Sequence, residues 1–256
     1  MPDPTMDKQH RATFDNQLIE LDSVDSTNNY AMAQVHAGLA SGGQVYFAHR
    51  QWAGKGQRGK TWMSEPGQNI SISLVLDPSP LLLSSQFLLG AAVALGCLNE
   101  VRKYASDGWA IKWPNDVYQG DRKAAGILIE NVIKGKQWRF AVIGVGMNLN
   151  QHSFPSDLPH AISLKQISGR SFEPLVLARE LVTHIGVQVA TLKSNPQIIL
   201  NTFNQNLYKR GELVKLRKEN ALFETRIESV NGQGELLTSD TAERRFSHGE
   251  VEFVLG

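Results

Sequence analysis

QWAGKGQRGKTWMSEPGQNISISLVL, running from Gln51 to Leu76, is the stretch on which the fold turns. Gly54, Gly56 and Gly59 spell G-x-G-x-x-G, the dinucleotide fingerprint, while Gly54 through Thr61 spell G-x-x-x-x-G-K-T, the P-loop. Both motifs need a helix directly after the glycines, so that its first N–H groups face phosphate. Here Met63-Ser64-Glu65-Pro66-Gly67 follows Trp62 instead, and proline and glycine forbid a continuing helix. Ile70, Ile72, Leu74 and Leu76 then alternate as a half-buried strand does. Neither nucleotide fold survives. What remains is a flexible loop carrying Arg50, Lys55, Arg58 and Lys60 between Trp52 and Trp62. A solvated basic hairpin explains those charges but leaves two tryptophans idle. A mobile loop with three glycines, cations and an aromatic can instead close over phosphate and purine together.

Outward from the loop the chain reads as α+β. Ile19 to Val24 predicts a strand, and the hydroxyls of Ser26 and Thr27 are suited to cap a helix reaching about Ala37. Gln44 to His49 precedes the loop as a strand. Ser84 to Tyr104 has apolar residues at helical spacing. Trp109 to Trp113 is a short strand stopped by the turn Pro114-Asn115-Asp116. Lys123 to Ile133 and Trp138 to Val145 should pair as a hairpin across Lys134-Gly135-Lys136. Helices fill Leu175 to Leu192 and Pro196 to Asn206. Beyond Tyr208 five short strands, separated by turns such as Asn231-Gly232, predict a small SH3-like β-barrel. The expected division is an N-terminal extension (1–17), a catalytic domain (18–206) with a mixed, largely antiparallel sheet and flanking helices, and the barrel (207–256).

Composition narrows the function. A formal net charge of +1 argues against bulk polyanion binding, so any anion site must be local. One cysteine, Cys97, excludes an internal disulfide and a thiolate-rich zinc site; its apolar neighbours make it a core residue. The start shows no apolar signal core, and the run Phe87 to Leu98 is too short to span a bilayer. A cytoplasmic location is the expectation, with neither membrane nor DNA as partner.

Three further segments carry chemistry. Lys112-Trp113-Pro114-Asn115-Asp116 holds a lysine and a carboxylate at a strand end, suited to a phosphate and its magnesium, although a proline turn alone would also explain it. Gly120 to Gly126 surrounds Lys123 with small residues, so a rigid strand can aim that lysine into a cleft. Asn148, at the end of Gly144 to Asn150, reads either as a turn residue or as an amide facing a purine edge.

Ser26-Thr27-Asn28, Gln51 to Trp62, Lys112 to Asp116, Gly120 to Glu130 and Gly144 to Asn148 stand in the order and approximate spacing of the biotin protein ligases. The chain resembles that family from about residue 18 to its end. Asp121-Arg-Lys-Ala-Ala-Gly-Ile-Leu-Ile-Glu130 after the Lys112 segment is the most specific part. The resemblance implies a fold of biotin/lipoate ligase type and a two-step reaction. Biotin and ATP give biotinyl-5′-adenylate, and the biotinyl group then passes to a lysine of a biotin carboxyl carrier protein domain. It implies that Ser26, Thr27 and Gln51 bind the ureido head, with Asn28 bracing and Gly54, Lys55, Gly126 and Ile127 lining the biotin pocket. Lys123 would lie between the biotin carboxylate and the α-phosphate, acting in catalysis with Arg58. Gln57, Arg58, Lys60 and Trp62 would cover the adenylate; Lys112, Asn115 and Asn148 would hold the nucleotide, and Asp116 its Mg2+. No tightly bound prosthetic group is implied, and there is room for a homodimer.

Two departures follow. The family loop reads Gly-Arg-Gly-Arg-x-Gly-Arg; here Lys55, Gln57 and Lys60 replace three arginines. Lysine keeps charge without the planar fork, whereas Gln57 loses charge at a position tied to adenylate retention. Bifunctional relatives carry a helix-turn-helix domain first, which about 17 residues cannot form, so a monofunctional ligase is expected. The rivals are a lipoate–protein ligase with the same adenylation logic and, in another class, a non-catalytic nucleic-acid module; near-neutral charge opposes the latter.

Overall fold

A computed structural model describes residues 14, 18–105 and 107–255. Of the expected N-terminal extension, all but Phe14 lies outside the described residues. Phe14 is buried in the core.

A seven-stranded sheet forms the larger part, in the order β1-β2-β3-β7-β6-β5-β4. Its strands are β1 Leu18–Val24, β2 Val45–Gln51, β3 Ile70–Leu76, β4 Trp109–Lys112, β5 Asp116–Gln119, β6 Arg122–Lys134 and β7 Gln137–Met147. β1 and β2 are parallel and the other neighbours antiparallel. The hairpin across Lys134-Gly135-Lys136 is present as β6–β7, with Gly126 opposite Gly146. β5 was not expected: Asp116 begins a strand rather than ending a turn, pairing with Lys112 of β4.

β3 explains how the sheet is dressed. Ile70, Ile72, Leu74 and Leu76 join the core built with helices α2 (Gln86–Val101) and α4 (Pro174–Ser194). Ser71, Ser73 and Val75 alternate with them, and Val75 packs with Ala31 and Val35 of α1 (Thr27–His36). All seven residues are buried, so β3 is covered on both faces rather than half-buried. The second face is covered by α1 and by the site itself. α2 and α4 approach closely at Gly96, where a Cβ would lie 2.8 Å from the Ile185 Cα. α4 is long and apolar enough to cross a membrane by length and composition, an attribute missed in its sequence. In the fold its stripe of Leu177, Leu181, Ile185, Val189 and Leu192 is buried in the core.

α3 (Leu164–Ser168) and α5 (Pro196–Gln205) complete the helices. The second sheet has the order β11-β10-β9-β8-β12 and is antiparallel, as a small SH3-like unit requires. Its strands are β8 Leu213–Lys218, β9 Ala221–Val230, β10 Leu236–Ser239, β11 Glu243–Phe246 and β12 Glu252–Phe253. Among the contacts that tie it to the first, Leu207 in the connecting segment bridges Ile111 of β4, and the Trp113 indole N–H donates to Gly234 O at 2.9 Å.

Candidate active site

A cavity of about 540 Å³ opens on the face of the large sheet away from α2 and α4. Its wall takes residues from β2, β3, β6, β7, the Gln51 to Trp62 loop and the turn before β12. Every residue expected at the site lies in that wall except Gly54.

At one end a hydrogen-bonded polar network sits under the start of α1. Gln51 Oε1 accepts from the Thr27 N–H at 2.8 Å and from its hydroxyl at 3.1 Å, while Gln51 Nε2 donates to Ser71 Oγ at 3.2 Å. Ser73 donates to Asn28 Oδ1 at 2.5 Å and lies 2.8 Å from Thr27 Oγ1. Asn28 Nδ2 donates to Glu130 at 2.9 Å, and Glu130 also takes the Lys55 ammonium at 2.8 Å. Gly144 makes this possible, since a Cβ there would overlap the Asn28 amide. The expected helix cap is corrected: Ser26 has N-cap backbone geometry, but its hydroxyl makes no capping bond. Ser26 itself is buried at the cavity wall. Ser71 and Ser73 escaped sequence reading; their signal was polar residues alternating within an apolar strand.

The loop folds back on itself. Trp62 N–H donates to Gly54 O and Gly56 N–H to Lys60 O. Gly54 is needed there because a Cβ would overlap the Trp62 carbonyl, so this glycine shapes the loop rather than lining the cavity. Arg58 takes a left-handed conformation (φ 54°), which throws its guanidinium onto Gly249 in the turn before β12. The Trp62 ring packs on Gly146, where a Cβ would overlap it, and close to Gly126, where a Cβ would stand 3.1 Å from it. Its indole N–H is buried without a partner among the described residues. Trp52, by contrast, stands 67% exposed and outside the wall, so only one of the two flanking tryptophans serves the site.

Lys123 rises from the floor at the start of β6. Its ammonium pairs with Asp116 Oδ1 at 2.8 Å and lies 5.7 Å from the Trp62 ring. The neighbouring carbonyl of Ile127 takes Asn115 Nδ2 at 2.7 Å and Gln57 Nε2 at 3.2 Å. Asn148 is buried, with Nδ2 donating to the carbonyls of Ile162 (3.2 Å) and Lys123 (3.4 Å). Its amide nitrogen is therefore engaged by backbone, and a purine-edge contact would fall to its carbonyl oxygen.

Lys112 lies beyond Lys123. Burial drives its pKa down to about 8, against which the charge of Asp116 works only partly. His248, also at the wall, is held below the ordinary histidine value first by burial and then by Arg58. Tyr118, His160, His248, Gly249 and Phe253 were not expected at the site; Tyr118 comes from β5, which sequence reading missed, and the others from loops and the second sheet, which no local motif could signal. Among the described residues no group of three His, Cys, Asp or Glu is placed to hold a metal. Cys97 is fully buried in α2, and burial pushes its thiol pKa up, which removes it from the chemistry.

Comparison with known proteins supplies the family. The sequence is 36% identical over 160 residues to a bifunctional ligase/repressor BirA of Bacillus spizizenii, covering 61% of this chain and 48% of that protein. It is 38% identical over 126 residues to a biotin–[acetyl-CoA-carboxylase] ligase of Paracoccus denitrificans, covering 49% of this chain and 51% of that one. The chain thus spans about half the length of these curated relatives. A biotin protein ligase from Aquifex aeolicus, solved in complex with biotin and ATP, superposes with a TM-score of 0.79 over 94% of this chain and 100% of that one. At 23% identity that likeness shows the fold alone. The model of the biotin/lipoate A/B protein ligase family matches residues 20–148, half of the sequence and most of the cavity wall, and the chain belongs to that family.

Proposed function

We propose that this protein is an ATP-dependent biotin–protein ligase, which makes biotinyl-5′-adenylate and passes the biotinyl group to a lysine of a biotin carboxyl carrier protein domain. The observation that carries the reading is the sharing of one cavity by the Thr27–Gln51–Asn28 network and the Lys123–Asp116 pair. In this reading the ureido head sits at the network, against Ser26, and the acyl tail runs past Gly126 and Trp62 to Lys123.

A carboxylate attacking a phosphate is anion meeting anion, so the site must neutralise both and hold them in line. The Lys123 ammonium does so between the two groups, exchanging Asp116 for the substrate oxygens. Arg58 and Lys60 reach the phosphates from the loop. Trp62 and the folded loop exclude water from a hydrolysable mixed anhydride. The residues present fit a magnesium ion arriving with ATP: Asp116 is one wall carboxylate, and magnesium commonly takes one or two carboxylates with phosphate and water oxygens. Bound there, it would neutralise phosphate charge. A cytoplasmic location follows from ATP as co-substrate and is part of the proposal; a homodimer is compatible with it and not required.

The test is to incubate the protein with ATP, magnesium, a carrier domain and either biotin or lipoate, and to follow carrier mass. Biotin addition is expected. Lipoate addition without biotin addition would overturn the reading in favour of the sister chemistry.

A further inference from the structure

The Lys112 ammonium is held in an aromatic cage assembled from both sheets. Its Nζ lies 4.7 Å from the ring centre of Tyr118, 5.3 Å from Phe253 and 6.0 Å from Tyr208. The rings support one another: Tyr118 and Tyr208 are 5.6 Å apart, Tyr208 and Phe253 5.9 Å. Tyr118 comes from β5, Tyr208 from the connection to the second sheet, and Phe253 from β12. Tyr208 is fixed twice, by its N–H donating to Ile111 O at 2.9 Å and by its hydroxyl donating to Asp121.

What the ammonium lacks matters as much. Among the described residues Tyr118 Oη, at 3.3 Å, is its one hydrogen-bond acceptor. Asp116, directly across the ladder, is paired with Lys123 instead. A lysine has three N–H donors, so Lys112 keeps donors free at the wall of a cavity. The rings strip water from the cation without neutralising it, and an incoming anion then meets a charge whose desolvation is already done. Burial has lowered the Lys112 pKa, as that description requires.

We propose that Phe253, with Tyr208, is a positioning residue for the nucleotide: the second sheet acts in adenylation by holding the Lys112 ammonium against the phosphates of ATP. This rests on the reading of the site as ATP-dependent, and it gives β12 a part in that site. Phe253 itself touches no reacting atom in this account; it acts through Lys112.

Calorimetric titration with ATP, in the absence of biotin, tests it on the intact chain. Phe253→Leu should weaken ATP binding about tenfold, with biotin affinity unchanged and Phe253→Tyr restoring the wild-type value. In a Lys112→Met background Phe253→Leu should cost nothing more. Should Phe253→Leu disturb the second sheet, successive ring fluorination at position 253 keeps the shape while draining the π face, and ATP affinity should fall stepwise. An equal loss with and without Lys112, a parallel loss of biotin binding, or no response to fluorination would each overturn the proposal. Wild-type protein that binds ATP yet never adenylates biotin would instead refute the proposed function and leave the cage intact.

Discussion

The two ends of the cavity are built on opposite principles. Around Thr27, Asn28 and Gln51 the polar groups largely satisfy one another through Ser71, Ser73 and Glu130, so the network is finished before a ligand arrives. Around Lys112, Arg58, Lys60 and Lys123 there are four cations, and Lys123 holds Asp116. A finished network costs little to keep and recognises a neutral polar group by shape and direction. Arg58 and Lys60 are exposed, but Lys112 is partly desolvated; a desolvated charge destabilises the empty protein and is relieved by an anion. Substitutions at the first end should therefore cost stability as well as binding, and substitutions at the second should cost activity while sparing or raising stability.

The sharpest break is Lys123→Ala. Adenylate formation in a single turnover should fall by about 10²–10³-fold, the usual worth of one preorganised electrostatic contact, with the melting temperature nearly unchanged. A near wild-type rate would remove Lys123 from its role. Next comes Lys112. The protonated form is lost in the free protein as pH rises through about 8, so ATP affinity should be flat below that value. Above it, affinity should fall by about tenfold per pH unit. Lys112→Met should abolish this dependence and raise the melting temperature, because a desolvated charge has gone. At the other end, Ser73→Ala leaves the Asn28 carbonyl without its buried donor. It should cost about 1–3 kcal/mol of stability and raise the KM for biotin, with the KM for ATP unmoved.

Gln57→Arg is a smaller effect. It restores charge where the loop hydrogen-bonds Ile127 O, and a charge-assisted contact to the adenylate should slow its release about threefold; an unchanged release rate would refute that reading of the departure. His248 gives the smallest. Its folded pKa lies below the ordinary 6.5, so the unfolded chain takes up a proton first as pH falls. Stability should be level above about 6.5 and decline below it, and His248→Gln should flatten that decline in acid denaturation.

Sequence reading reached the first end and most of the second, but for different reasons. Lys123 and Asn148 sit within short runs whose chemistry can be read locally, Thr27 and Gln51 were reached only through the family resemblance, and the alternation of β3 marks a strand whatever its partners. The hairpin turn at Lys134-Gly135-Lys136 is equally local. Phe253 and His248 reach the cavity, and Tyr208 reaches Lys112, only because β12 and the segment after α5 dock beside β4, and no spacing records that. β5 was hidden because Pro114-Asn115-Asp116 is a turn signal and only four residues follow in the strand. The short helix α3 was legible in principle: Ser163 and Gln166 form a capping box, a pattern visible three residues apart. Trp52 and Trp62 flank the same cations in the sequence, yet Trp52 stands exposed and outside the cavity wall, a difference their spacing does not record.

The central claim is that one cavity joins biotin to the α-phosphate of ATP. Exchange of labelled pyrophosphate into ATP, measured with magnesium and without any carrier, tests it most directly. Exchange that depends on biotin and is lost in Lys123→Ala is the predicted result. Exchange supported by lipoate but not by biotin, or none with either acid, would contradict the account.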